Sequence, residues 1–276
     1  MIVEGKRVDI TCIADLHGHY PELEGGDLLI VAGDLTRSDT EQNWFDFLVW
    51  ITNQASLYKR IIVIAGNHDS NLEKYVGRLW PYNGMISYLC DWGTQFEYVQ
   101  PINNSFNPDD KSLVYRKTLK IWGSPWTKRF EGMNPNCMAF TLDHDLDYEE
   151  DTKHGRMFQK NDSLELKWAL IPDDVDILIT HSPPYDILDE VESQQHCTSW
   201  NFGSRSLLKR VCEIKPKLHV FGHVHEGYGK FKINNWRMVE IKNGGLMKYE
   251  KCTTFINASH VNENYEPVNR PIRVIL

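Results

Sequence analysis

Five short blocks of the chain join a small or turn-forming residue to side chains that bind divalent metals. They are Asp15-Leu16-His17, Gly33-Asp34, Gly66-Asn67-His68-Asp69, Thr180-His181 and Gly222-His223-Val224-His225. Five of the eleven histidines fall inside them, far more clustered than chance scattering would leave them. The donors on offer are imidazole nitrogens and carboxylate or amide oxygens, with no sulfur, a set that suits Mn²⁺, iron, Zn²⁺ and Mg²⁺. Asp15 and Asp34 bring about two negative charges against about four positive charges on two divalent ions, so a pair held there keeps surplus positive charge. Such a centre acidifies a bridging water to hydroxide near neutral pH and holds an anionic phosphoryl oxygen on its open positions. The chemistry this predicts is hydrolysis of a phosphoester.

Each block follows a short apolar run. Val8 to Ala14 leads into Asp15, Leu28 to Ala32 into Gly33, Ile61 to Ala65 into Gly66, Asp176 to Thr180 into His181, and Leu218 to Phe221 into Gly222. Such runs bounded by turn residues predict strands covered on both faces. In α/β folds, the loops at the carboxyl ends of strands are where ligands bind. Between the second and third runs, Glu41 to Ser56 sets Trp44, Phe47, Leu48 and Ile51 at helical spacing, and Ser204 to Ile214 does the same with Leu207, Leu208, Val211 and Ile214. Asp162 to Ile171 is a third helical candidate, with Asp162 as its N-cap and Pro172 at its end. Further strand-like segments at Met85–Cys90, Gln95–Val99, Leu113–Trp122, Phe231–Ile241 and Cys252–Ile256 call for two stacked sheets. Lys128 to Asn161 lacks periodicity and reads as a surface insertion, in which Met133, Asn134, Cys137, His144 and His154 are candidates for a wall or lid. With no linker, repeat or low-complexity tract, residues 1–276 read as a single domain.

Composition closes off other classes. The chain has 276 residues, 41% hydrophobic and 25% charged, a globular balance that excludes disorder. Its formal net charge of -8 leaves no broad basic face for general nucleic-acid or anionic-membrane binding. No uncharged apolar stretch reaches the ~20 residues of a membrane span, and no secretory signal is evident. The six scattered cysteines, with no C-x-x-C pair, point to free thiols in a reducing compartment, so the expected location is cytoplasmic.

In order and in strand-end context, the five blocks resemble the calcineurin-like metallophosphoesterase superfamily. Gly123-Ser124-Pro125-Trp126-Thr127, Ile177 to Pro184, Phe221 to Gly229 and Tyr265-x-Pro267-Val268-Asn269-x-Pro271 are similar to its metallophosphoesterase domain-containing family of class III phosphodiesterases. The resemblance implies an α/β fold, a four-layer α-β-β-α sandwich of two mixed sheets with a dimetal centre at one edge. It implies that Asp15, His17 and His225 hold one metal, that Asp34 bridges, and that Asn67, His181 and His223 hold the second. It also implies that His68 is the catalytic histidine, with Asp69 fixing its orientation. Some family members carry glycine where this chain has His223, so the centre implied here is complete.

The cofactors expected are two divalent ions, Mn first, with Fe, Zn or Mg as alternatives. Gly33 to Thr40 reads G-D-L-T-R-S-D-T and lacks the arginine of the G-D-x-x-D-R-G phosphate clamp, with Arg37 out of register. A phosphomonoester dianion gains more from such a clamp than a diester does. The substrate expected is therefore a small phosphodiester such as a cyclic nucleotide or an aryl phosphodiester. Alternatives are a phosphomonoesterase, a 2′,3′-cyclic phosphate or RNA-end hydrolase, and a binding scaffold on the same fold; the sequence leaves oligomeric state open. Tyr228 and Trp126 could either pack or line the pocket, and the acidic run from Asp143 to Asp151 reads as a solvated face because it lacks the glycine and terminal glutamate of an EF-hand loop.

Overall fold

A computed structural model describes residues 7–75, 84–101, 114–130, 133–146, 148–151, 156–159, 162–192, 199–242 and 245–276. The principal strands are β1 (Asp9–Ile13), β2 (Gly26–Ala32), β3 (Tyr58–Ile64), β4 (Ile86–Tyr88), β5 (Trp92–Pro101), β6 (Val114–Ser124), β7 (Ile177–Thr180), β8 (Leu218–Phe221), β9 (Gly229–Lys242), β10 (Gly245–Asn257) and β11 (Ile272–Ile275). They form one sheet in the order β11-β1-β2-β3-β4 and a second in the order β9-β10-β8-β7-β6-β5. Both sheets are mixed. β1 to β4 run parallel with β11 antiparallel at the edge, and β6, β7, β8 and β10 run parallel with β5 and β9 antiparallel.

Alternation along each strand sorts side chains between two buried faces. Ile10, Cys12, Leu28, Ile30, Ile62 and Ile64 of the first sheet meet Leu119, Ile121, Ile177, Ile179, Leu218, Val220 and Ile256 of the second. The residues in between, Leu29, Val31, Ile61 and Val63, turn outward onto α1 (Glu41–Gln54) through Trp44, Phe47, Trp50 and Ile51. On the far side, Leu178, Phe221 and Phe255 pack against α2 (Leu164–Trp168) and α3 (Arg205–Ile214) through Leu164, Trp168, Leu207, Val211 and Ile214. The layers are thus α-β-β-α. Full burial of a side chain such as Phe47 or Ile51 contributes about 2 kcal/mol, which is why the apolar runs are continuous rather than alternating with polar residues.

Thr40 caps α1 by accepting from the Asn43 amide, and Ser204 caps α3 by accepting from that of Leu207. α2 is shorter than the sequence implies. Its N-cap is Ser163, which accepts from the Leu166 amide, rather than Asp162, because Ser163 is the residue in the extended conformation that capping requires. The acidic run from Asp143 also departs from expectation. Asp145 is buried, and its carboxylate accepts from Ser204 Oγ (2.5 Å), Ser206 Oγ (2.6 Å) and the Arg205 amide (2.8 Å), a role that no local pattern advertises.

Within the stretch 128–161, several described residues are tied into the body of the fold. Thr127–Lys128 pair with Thr141–Leu142, Ala139 and Phe140 join the packing around α1, and Leu142 joins the packing around α2 and α3. His154 and Cys197 lie outside the described residues; the five described cysteines are free. Among the described residues no helix is long and apolar enough to cross a membrane.

Candidate metal centre

The loops after β1, β2, β3, β7 and β8 converge at one edge of the paired sheets, and their geometry is unusual for side chains of this size. Asp15 (φ 51°), His17 (φ 42°), Asp34 (φ 53°) and His223 (φ 69°) all occupy the left-handed region, which costs non-glycine residues energy and persists where surrounding structure enforces it. Gly33 (φ 96°) is where a side chain has no room, since an added Cβ would collide with His181 Nδ1 and the Ala65 carbonyl. At Gly222 the collision would be with the Asp15 carboxylate.

Every expected ligand reaches this point. Asp15, His17 and His225 offer ligand atoms within 4.8 Å of one another, and so do Asp15, Asp34 and His181. His17 Nε2 lies 3.6 Å from Asp34 Oδ2, and His181 Nε2 lies 3.3 Å from Asp34 Oδ1. Asn67 Oδ1 is 3.2 Å from His181 Nε2 and 2.9 Å from His223 Nδ1. Asp34 therefore stands between a cluster of Asp15, His17 and His225 and another of Asn67, His181 and His223.

The supporting bonds fix which atoms face inward. His181 Nδ1 donates to the Ala32 carbonyl (2.8 Å) and His225 Nδ1 to the Asn262 carbonyl (3.1 Å), so each ring turns its Nε2 toward the centre. Asp15 accepts from the His223 amide (3.0 Å) and from Ser259 Oγ (2.5 Å), and Asp34 accepts from the His68 amide (2.9 Å). Behind His181, the buried His219 Nε2 donates to Thr180 Oγ1 (2.8 Å), whose own proton goes to the Ser182 carbonyl (2.6 Å).

The cluster fits cations. Asp15, Asp34 and Asp69 are at most 2% exposed, and no lysine or arginine pairs with Asp15 or Asp34 among the described residues. His17 Nε2 and His225 Nε2 face each other at 3.3 Å, an arrangement that a shared cation satisfies. Burial opposes a charged His181, yet Asp34 and Asp15 outweigh it and hold its pKa up at about 9. Burial pushes His17 well down and His223 down to about 3, leaving both rings neutral donors.

His68 also borders the centre. Its Nε2 is 3.9 Å from Asp34 Oδ2 and its ring stands edge-on to His17, with centroids 4.5 Å apart. Asp69 does not hold that ring. Its carboxylate accepts from the amides of Leu35 (3.0 Å) and Gly66 (2.8 Å), so it clasps the loops after β2 and β3 together, and burial with the nearby Asp34 charge raises its pKa well above the carboxylate range.

A cavity of about 280 Å³ opens onto the cluster and is walled by Phe130, Met133, Cys137, Val191, Phe202 and Tyr265 beside Asp34, Asn67, His68, His223 and His225. The structure places Met133, Asn134 and Cys137 in that wall; Trp126 instead packs on Phe140 and donates to Asp91, and Tyr228 donates to the Arg270 carbonyl. Phe130, Val191 and Phe202 carry no sequence signal that would have singled them out. Tyr265 does sit in a quoted motif, and its ring, at φ 61°, stands edge-on to His17 (4.8 Å) and His225 (5.2 Å).

The calcineurin-like phosphoesterase family profile matches residues 8–227, which take in all five blocks. The chain belongs to this family. Metallophosphoesterase domain-containing protein 1 of Homo sapiens is 31% identical over 275 residues, covering 96% of this chain and 70% of that protein, and the Mus musculus protein of the same name matches equally. A protein of Emericella nidulans named probable rhamnogalacturonate lyase C is 33% identical over 226 residues, covering 81% of this chain and 18% of that protein. Among solved structures, purple acid phosphatase PPD1 of yellow lupin aligns at 12% identity with a TM-score of 0.36, over 98% of this chain and 48% of that one. For this calcineurin-like phosphoesterase, membership implies a phosphoric ester hydrolase with a dinuclear divalent metal centre, and the converging carboxylates and imidazoles fit that implication.

Proposed function

We propose that this phosphoesterase hydrolyses phosphodiester bonds in small molecules that carry an aromatic group, such as cyclic nucleotides or aryl phosphodiesters. One observation carries the reading: among the described residues no arginine or lysine lines the cavity at the metal cluster, while Phe130, Phe202 and Tyr265 do. A phosphomonoester dianion without a cationic clamp gains little there, whereas a diester monoanion with an aryl or base substituent matches both the charge and the aromatic wall. Arg37, the candidate for a displaced clamp, is exposed and outside this lining.

When bound, two divalent ions, Mn²⁺ in this reading, supply an acidified water and stabilise charge on the phosphoryl oxygens. Asp15, His17 and His225 hold one, Asn67, His181 and His223 the other, and Asp34 lies between. His68, beside Asp34 and open to the cavity, donates a proton to the leaving oxygen. Val191 and Met133 line the same cavity. Free thiols at the five described cysteines agree with work in the cytoplasm.

The test is elemental analysis of the protein together with hydrolysis of bis-p-nitrophenyl phosphate and p-nitrophenyl phosphate, with and without added Mn²⁺. Two metals per chain and faster diester turnover support the reading. Faster monoester turnover replaces it with a phosphomonoesterase, and two bound metals with neither turnover favour the scaffold.

A further inference from the structure

The wall at Phe130 and Phe202 has two sides. Both rings line the metal cavity and also a neighbouring groove of about 450 Å³, which is bordered by Lys128, Arg129, Tyr185 and Arg205. The rings meet edge-on at 5.7 Å, are 40% and 38% exposed, and Phe130 lies 6.3 Å from the His223 ring. Exposed aromatic faces between a phosphoryl-binding centre and a basic groove form a stacking platform for a planar group.

The groove is bordered by positive charge. Arg205 lies over the Tyr185 ring at 4.3 Å with Nη2 3.2 Å from the tyrosine hydroxyl, which orients its planar fork in advance. Lys128 is exposed and has no ion-pair partner among the described residues. Arg129 is paired with Asp143 at 3.1 Å, and the Asp145 carboxylate at the base of the groove is taken up by Ser204, Ser206 and the Arg205 amide. Among the described residues, no ion pair neutralises the Lys128 or Arg205 side chain. A different hollow, which meets the metal cavity at Glu226, is bordered by Asp186, Glu190, Glu192 and Glu263, so an anion reaching the centre is repelled there and drawn to the basic side. In a chain of net charge -8 this local asymmetry is a selective feature.

Resting on the phosphodiesterase reading, we infer that the substrate is a nucleoside phosphodiester carrying a second phosphate. Its base stacks on one ring of the Phe130–Phe202 pair and meets the other edge-on, its scissile phosphate sits at the metal cluster, and its second phosphate lies between Lys128 and Arg205. The aromatic pair selects the base, and the groove selects the additional charge.

Equilibrium binding of two slowly hydrolysed diesters, thymidine 5′-(methyl phosphate) and the bisphosphate made by phosphorylating its 3′ hydroxyl, to the metal-loaded protein tests this by titration calorimetry. The wild type is expected to bind the bisphosphate about tenfold more tightly at low salt, an advantage that shrinks at high salt. Lys128→Glu with Arg205→Glu removes the advantage, and Phe202→Ala weakens both ligands together. Because the readout is a ratio between two ligands on one protein preparation, a general loss of fold does not imitate it. Equal binding of the two ligands by the wild type, or an advantage that survives the double charge reversal, overturns the inference. Turnover of bis-p-nitrophenyl phosphate, measured in parallel, judges the phosphodiesterase reading separately.

Discussion

On the floor of the metal cavity, Asp15, Asp34, Asn67 and His181 are at most 4% exposed and stand where strands end, each held by hydrogen bonds from neighbouring loops. On the rim, Phe130 and Phe202 are about ten times as exposed and stand on irregular segments. The floor is built from residues that have one permitted place, and several adopt left-handed backbone to take it. The rim pair is held by ring contacts, Phe130 with Phe202 and with His223. One chain can thus keep its chemistry fixed while its choice of substrate drifts.

Substitutions on the floor should cost far more than substitutions on the rim. Asp34→Asn removes the charge shared by both clusters and is expected to lower bis-p-nitrophenyl phosphate turnover by at least ~1000-fold, with metal content below two per chain and an unaltered circular dichroism spectrum. Near-normal turnover at saturating metal would remove Asp34 from the centre. His68→Ala is expected to lower kcat by about 100-fold while both metals stay bound, and restored rate with an aryl leaving group of lower pKa distinguishes a lost proton donor from a lost ligand. The support beneath the floor responds to pH. Burial lowers the pKa of His219 from 6.5 to about 3, so between those values the unfolded chain takes a proton that the folded chain refuses. Stability should therefore fall by about 2 kcal/mol from pH 6.5 to 5, and His219→Asn should flatten that slope in denaturant titrations. Ser259→Ala, which deprives Asp15 of one donor, is expected to weaken metal affinity about tenfold. Met133→Ala on the rim should change kcat/KM for the same diester by only about threefold; a change as large as that of His68→Ala would erase the distinction.

The same division governs what the sequence makes legible. The floor can be read because each ligand is written beside the strand that carries it, so Leu28 to Ala32 followed by Gly33-Asp34 states position and donor together. α1 and α3 follow from helical spacing, with caps at Thr40 and Ser204. The rim resists because Phe130, Val191, Phe202 and Tyr265 come from four separate segments that share no period, and an exposed phenylalanine in a loop looks like any other. The burial of Asp145 is hidden for a related reason, since local charge density says nothing about a helix terminus 60 residues away. The resemblance assigns Asp69 to the orientation of His68, whereas its partners are the amides of Leu35 and Gly66.

The segment from Asn257 to Asn262 has a bearing on how the enzyme is made. Ser259 anchors Asp15, Asn262 orients His225, and β11 pairs with β1 along Asp9 to Cys12. Asp15 is synthesised about 240 residues before the serine that secures it. During translation the first ligands must wait, unbraced, until residues 257–276 have left the ribosome, and contacts of such long sequence separation form late in folding. A ribosome-bound chain halted before Ser259 should already contain the early β1-β2-β3 pairing while Asp15 and His225 still lack their braces.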